Sequence, residues 1–181
     1  NTSFSRRDKN FSNSFEKMKN NRLIVAQRLI SQKNLNNINL DSEGFPIGFS
    51  KNSQEVLINS FLSAYLGKNP NDISLNPISK SPKLNWSLQY DGLSKLFENF
   101  ISRLSIGHGY RSSFTINNFR SNLNYSPNSF DNSGNYVSEK LYSNINLVEQ
   151  FNPLIEVDIE FKNSLRLIFD VIKDRAVSLS L

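Results

Sequence analysis

"INLVEQFNPLIEVDIEFKNSLRLIFDV", residues 145–171, is the stretch that decides the fold. Ile145, Leu147, Phe151, Ile155, Val157, Ile159 and Phe161 keep to odd positions, while Asn146, Gln150, Asn152, Glu156, Asp158 and Glu160 fill even ones. Successive side chains of an extended chain point to opposite faces, so a period of two predicts a strand with one apolar and one wet face. After Lys162-Asn163-Ser164 the alternation resumes. Leu165, Leu167, Phe169, Val171, Val177, Leu179 and Leu181 stand against Arg166, Asp170, Asp174, Ser178 and Ser180. Two strands, 143–162 and 164–181, are thus joined by almost nothing and form a hairpin. A two-residue turn pairing Phe161 with Ser164 would carry Arg166 and Asp170 onto the apolar face. A three-residue loop pairing Phe161 with Leu165 keeps both apolar sets together, with Asn163 as the left-handed residue. That register sets Glu160 opposite Arg166, Glu156 opposite Asp170, and Arg175 diagonal to Glu149.

Toward the N-terminus the period of two continues. In 101–125 the apolar phase is even at Leu104, Ile106, Tyr110, Phe114 and Ile116, then odd at Phe119, Leu123 and Tyr125. One extra residue near Asn117-Asn118, a β-bulge, accounts for the switch. Leu84, Trp86, Leu88 and Tyr90 alternate with polar residues and predict a strand over 84–91. Residues 93–100 read as a short helical or turn segment, and 126–139 as a polar loop. Residues 11–83 read differently, as a helical insertion or cap. Phe11, Phe15, Met18, Val25 and Leu29 recur at helical spacing within 11–32, and a loop rich in Asn follows. A second helix starts at the candidate caps Asn52 and Ser53, carries Glu55 in its first turn, and stops at Gly67 and Pro70. Its face is Val56, Leu57, Phe61, Leu62, Ala64 and Tyr65. Residues 1–10 read as the end of a strand.

Strands in globular proteins usually run ~3–10 residues; three here persist for roughly twenty. At ~3.3 Å per residue that is on the order of 60 Å. A tall barrel needs such strands, because only ~9–11 tilted residues cross the hydrocarbon and the rest project beyond it. The expected fold is therefore mainly β with a helical insertion, a fragment of a large antiparallel transmembrane β-barrel. Tyr110, Phe114, Ile155, Val157, Ile159, Phe161, Leu165, Leu167 and Phe169 are the candidate lipid-facing residues. Arg111, Glu156, Asp158, Glu160, Arg166 and Asp170 are the candidate lumen-facing ones. Glu149, Lys173 and Arg175 interrupt the apolar stripe, and a charge facing mid-bilayer lipid costs ~2–4 kcal/mol. The lipid band is therefore expected at roughly 153–161 and 165–171. Tight turns of such barrels are usually periplasmic, which would place the helical block and the 126–139 loop outside the cell. Trp86, Tyr90, Tyr110, Phe114, Tyr125, Tyr142 and Phe151 are candidates for interfacial girdles.

Composition narrows the chemistry. The chain has 181 residues and a net charge of +5, with basic and acidic residues interleaved; it carries no nucleic-acid footprint. It opens without an initiating Met and reads as an excerpt. There is no cysteine, and only one His, one Met and one Trp. Neither a thiolate metal site nor a disulfide can form, and no catalytic, cofactor or metal constellation emerges. Asn and Ser supply roughly 55 residues, the composition of turns and water-facing strand positions. His108 falls in the apolar phase between Ile106 and Tyr110, a packing or interfacial position. Gly107 and Gly109 lack the helix and Lys-Ser/Thr of a phosphate loop; they suit a place where another backbone comes close. Arg111 could bind a carboxylate. A soluble enzyme or carbohydrate binder would need a converging polar cluster, and none emerges.

The segments "NRLIVAQRL", "GFPIGFSKNSQEVLI", "AYLGK", "LNWSLQYDGLSKL", "HGYRSSFTI" and "FNPLIEVDIEFKNSLRL", in that order, resemble the C-terminal part of the SprA/Sov family. Those are giant outer-membrane translocon proteins of the Bacteroidota type IX secretion system, tied also to gliding motility. The chain departs from the family's pattern at Glu156 and in the short "LFENF" turn. The resemblance implies a single-chain barrel of about 36 strands, the largest size known. It implies export of folded cargo proteins bearing C-terminal signals, through a wall with a lateral opening. It also implies two partners, a smaller outer-membrane barrel and a plug protein. The chain is then a structural conduit without bond chemistry. The competing expectation is a surface-exposed binding module, in which the helical block recognises an envelope partner or an exported protein.

Overall fold

A computed structural model describes residues 9–34, 38–78 and 85–181. The expected strand end falls mostly outside these residues, as does Leu84; Lys9 and Asn10 already belong to a helix. The chain is mainly antiparallel β sheet with a few helices. Helices α1 (Lys9–Ser31) and α2 (Gln54–Tyr65) come first. They are followed by β1 (Trp86–Tyr90), a 3-10 turn at Gly92–Phe97, and β2 (Ile101–Asn117). Two short strands, β3 (Arg120–Ser121) and β4 (Lys140–Leu141), precede the long β5 (Asn144–Phe161) and β6 (Arg166–Ser180). The large sheet has the order β1-β2-β5-β6, and β3 with β4 makes a second, two-stranded one.

The residues divide into two compact units. The first contains residues 1–80, 116–145 and 178–181, and the second 81–115 and 146–177. The polar loop 126–139 thus falls in one unit with the helical block. Polar loops have no period, so the association left no trace in the pattern. Hydrogen bonds make it. Gln54 donates from Nε2 to the Lys140 carbonyl and accepts at Oε1 from the Tyr142 N–H, while Asn135 Oδ1 accepts from the Ser50 N–H.

The first unit has a conventional core. Val25, Ala26, Leu29, Ile30, Phe45, Phe49 and Val56 are buried together, with Leu23, Leu75 and Tyr136 packed against them. Of the α1 stripe read from sequence, Val25 and Leu29 belong to this core, and Met18 is buried as well. Helix α2 is buried nearly all round, its polar Asn59, Ser60 and Ser63 as well as its apolar face. Ser53 caps α2 by position only, with no side-chain bond. The C-terminus closes as expected, with Gly67 left-handed at φ 64 and Lys68 N–H bonded to the Ser63 carbonyl, a Schellman motif.

In the second unit the hairpin register at the turn is the one expected. The Phe161 N–H donates to the Leu165 carbonyl at 2.8 Å, and the Ser164 N–H to the Phe161 carbonyl at 3.0 Å. The left-handed residue is Ser164, at φ 67, and not Asn163. A three-residue loop requires that conformation at its last position, where it completes the bulge. Asn163 instead accepts the Leu165 N–H on its side chain. The bulge expected near Asn117-Asn118 is a strand end. β2 stops at Asn117, Asn118 turns left-handed at φ 52, and the chain restarts as β3.

Gly48 shows how tightly the first unit is closed. It is left-handed at φ 95, and a methyl there would run into the Tyr136 ring. Gly44 has φ 83 but nothing within 4 Å. Gly48→Ala is expected to destabilise this unit by at least about 2 kcal/mol, and Gly44→Ala by only the backbone term of about 1 kcal/mol. Hydrogen exchange of the α1 and α2 amides measures the difference.

Candidate functional site

The candidate site is the sheet, and its two faces differ in chemistry. On one, β1 pairs with β2 so that Trp86 lies opposite Tyr110, Leu88 opposite His108 and Tyr90 opposite Ile106. Trp86 and Tyr110 rings are 4.4 Å apart, and Tyr110 and Phe151 4.9 Å. His108 lies 6.3 Å from both Trp86 and Phe151, and its Nδ1–H donates to the Leu154 carbonyl at 2.7 Å. It is a packing residue. Below this aromatic group, toward the hairpin turn, the same face carries Leu165, Leu167 and Phe169, each more than half exposed, and Ile155 at 43 %. Val157, Ile159, Phe161 and Tyr110 are half-buried, as is Phe114 nearer the far end of β2. At the turn end Lys162 N–H bonds to the Phe100 carbonyl, which brings a second group of exposed side chains there, Leu96, Phe97 and Phe100.

Two of the three charges that interrupt the apolar stripe neutralise one another. Glu149 pairs with Arg175, and the Tyr110 hydroxyl donates to the other Glu149 oxygen at 3.1 Å. Lys173 is exposed and has no ion pair among the described residues.

The opposite face is charged. Arg166 forks onto Asp158, with Nε 2.9 Å from Oδ1 and a terminal nitrogen 2.7 Å from Oδ2. Arg103 acts on Asp158, and Glu156 and Glu160 act on Arg166, so five charges converge. The sequence placed Arg166 against Glu160; the structure sends it diagonally to Asp158. A long side chain reaches the diagonal neighbour on a sheet, and there both carboxylate oxygens meet the planar guanidinium. Asp170 and Arg111 do not join the cluster. Both are exposed, with no ion pair among the described residues. Arg111 lines an open cavity of about 420 Å³ with Asn85, Ser87, Gln150 and Asn152, and among the described residues no carboxylate lines it. Ile168 and Ile172 are also more than half exposed on this face. The sequence reading passed over them because they fall in the polar phase.

A bulge in β5 was missed as well. Leu181 N–H bonds to the Ser143 carbonyl at the strand ends. Phe161 and Ser143 are 18 residues apart, their partners Leu165 and Leu181 only 16. On the other side of β5, Gly107 faces Glu156 and Tyr110 faces Phe151. The pairing with β6 brackets two extra residues between Ser143 and Phe161, and the contacts with β2 narrow them to the stretch between Phe151 and Glu156, around Pro153. Pro153 was the available signal, since proline has no N–H for a central ladder and sits in sheets at bulges. Because the insertion is even, the apolar side chains on either side of it share a face. It also explains the glycines: a methyl on Gly109 would lie 2.6 Å from the Asn152 carbonyl oxygen. The backbone that comes close is β5 itself.

No cluster of His, Cys, Asp and Glu fit to hold a metal occurs among the described residues, and no helix is long and apolar enough to cross a membrane. Compared with models of known families and with curated proteins, the chain matches none.

Gly109→Ala must push a backbone carbonyl aside and is expected to cost ~1–3 kcal/mol as an overpacking change. Gly107→Ala meets chiefly the Glu156 side chain, at 3.2 Å, and is expected to cost less. Exchange protection of the β2 and β5 amides should fall in the first variant and hold in the second.

Proposed function

We propose that this chain is a wall segment of a large outer-membrane β-barrel that exports proteins. The observation that carries the reading is the exposed apolar face of the β5–β6 hairpin, Ile155, Leu165, Leu167 and Phe169, on strands 18 and 15 residues long. An apolar surface of this size on a water-soluble chain would be an aggregation liability; against acyl chains it is stabilising. Its arrangement supports the same reading. Phe151 to Phe161 inclusive is eleven residues, matching the ~9–11 that cross a bilayer as a tilted strand. The Trp86–Tyr110–Phe151 group flanks the aliphatic band on one side, and Phe97 and Phe100 lie near its other end, as aromatic girdles do. The self-neutralised Glu149–Arg175 pair lies beyond the band, where interfacial water tolerates it.

On this reading the Asp158–Arg166 face lines a wet lumen, and the protein belongs to the outer membrane. The resemblance to the SprA/Sov family supplies the finer content: passage of folded cargo with C-terminal signals, a smaller barrel and a plug as partners, and a role in type IX secretion and gliding motility. The separate core of the helical unit favours a second role alongside the first, recognition of an envelope partner or exported protein by that unit. Deleting residues 11–83 alone does not test it, because the deletion removes the core under the 126–139 loop. Exchanging surface residues does.

The cysteine-free sequence suits single-cysteine labelling. In the complete protein in lipid bilayers, a bimane at Leu167 should be quenched strongly by brominated acyl chains, and one at Glu160 weakly. Equal quenching at both sites, or stronger quenching at Glu160, overturns the membrane reading.

A further inference from the structure

The large sheet carries four arginines, two on β2 and two on β6, and three of them act on a carboxylate. Arg166 forks onto Asp158, Arg103 acts on the same group, and Arg175 holds Glu149. Arg111 is the fourth. It is exposed and has neither an ion pair nor a side-chain hydrogen bond among the described residues. It stands in the wall of the open cavity of about 420 Å³, on the charged face of the sheet and within one compact unit.

Gly109 is the floor of that cavity. It lies opposite Ser87 in the register and beside the Asn152 carbonyl, which is close enough to exclude a methyl. No side chain rises there, and Asn85, Ser87, Arg111, Gln150 and Asn152 stand around the gap. The Asn85 amide is turned so that its Oδ1 accepts the Ser112 N–H at 2.7 Å; its Nδ2 donors are what it has left to offer. The Ser87 hydroxyl and the Gln150 and Asn152 side-chain amides have no partner among the described residues. These groups are neutral, so Arg111 supplies the charge of the described wall. A guanidinium presents a planar fork that fits both oxygens of a carboxylate, as Arg166 already does within this sheet. One cation answers one negative charge. Glu156, against Gly107 two residues along β2, opposes a second.

We propose that this cavity binds a carboxylate of a polypeptide, with Arg111 forking onto its two oxygens and Asn85, Gln150 and Asn152 bonding the peptide groups beside it. Side-chain amides carry both donors and acceptors, the complement of a peptide unit. The volume falls within the ~300–1,000 Å³ of ligand pockets. The carboxylate belongs to an acidic side chain or to a chain end. The site lies on the charged face and does not depend on what the apolar face touches.

The test uses the complete protein in detergent with a bimane on a single cysteine introduced by S113C, at an exposed position two residues from Arg111. It is titrated with three acetylated tripeptides: Ala-Glu-Ala with an amidated end, Ala-Gln-Ala with an amidated end, and Ala-Gln-Ala with a free end. A saturable change in emission is expected with the first or the third and none with the second; the tighter of the two acids distinguishes a side-chain from a chain-end carboxylate. R111Q should weaken binding roughly tenfold or more, and R111K, which keeps the charge and loses the fork, by less. R120Q, in the other unit, should leave it unchanged, and all variants should keep wild-type strand protection. No saturable response to either acid, an equal response to the neutral peptide, tighter binding of inorganic phosphate than of either acid, or equal binding by the folded R111Q variant would overturn the proposal.

Discussion

Everything in the sheet depends on side-chain parity. A slip of one residue in any strand would exchange an aliphatic face for a charged one. Two local devices protect against it. The Phe161–Leu165 loop has three residues, with Ser164 left-handed, and so returns the chain in phase. The insertion around Pro153 has two residues and so leaves phase untouched. The separation of Asp158 and Arg166 from Leu167 and Phe169 is the product of these two even-handed steps.

The parts of the fold that repeat were legible in advance. Alternation placed the long strands, and the cost of turning Arg166 and Asp170 inward selected the loop. What alternation could not show is where individual groups go within a face. Arg166 prefers the diagonal carboxylate because a guanidinium seeks two oxygens in its plane, a matter of reach and not of order. The left-handed residue was assigned to Asn163 on residue type, whereas loop geometry assigns it to Ser164. The Pro153 bulge was overlooked because an even insertion leaves no change of phase to notice. The apparent phase change near Asn117 was noticed, but it marks a strand end.

The helical unit illustrates a different limit. Its apolar stripes were visible, yet α2 buries Asn59, Ser60 and Ser63 too. Ser60 and Ser63 satisfy their hydroxyls on backbone carbonyls, Val56 and Lys68. Asn59 satisfies only its amide protons. Residue type alone does not show which carbonyls its amide will meet; that takes the position of Leu75, sixteen residues on, as well as that of Glu55 one turn back.

The even insertion in β5 carries a cost of its own. A hairpin lacking it would keep the same oily and wet surfaces, with β6 displaced by two residues along its neighbour. Greasiness cannot tell these two isomers apart. The native one alone puts Arg175 straight across from Glu149 and lets the Asn152 carbonyl fill the gap at Gly109. A few polar contacts and one missing methyl therefore choose between nearly equivalent alignments, and a nascent chain that zips from the tight turn must make that choice as it passes Pro153.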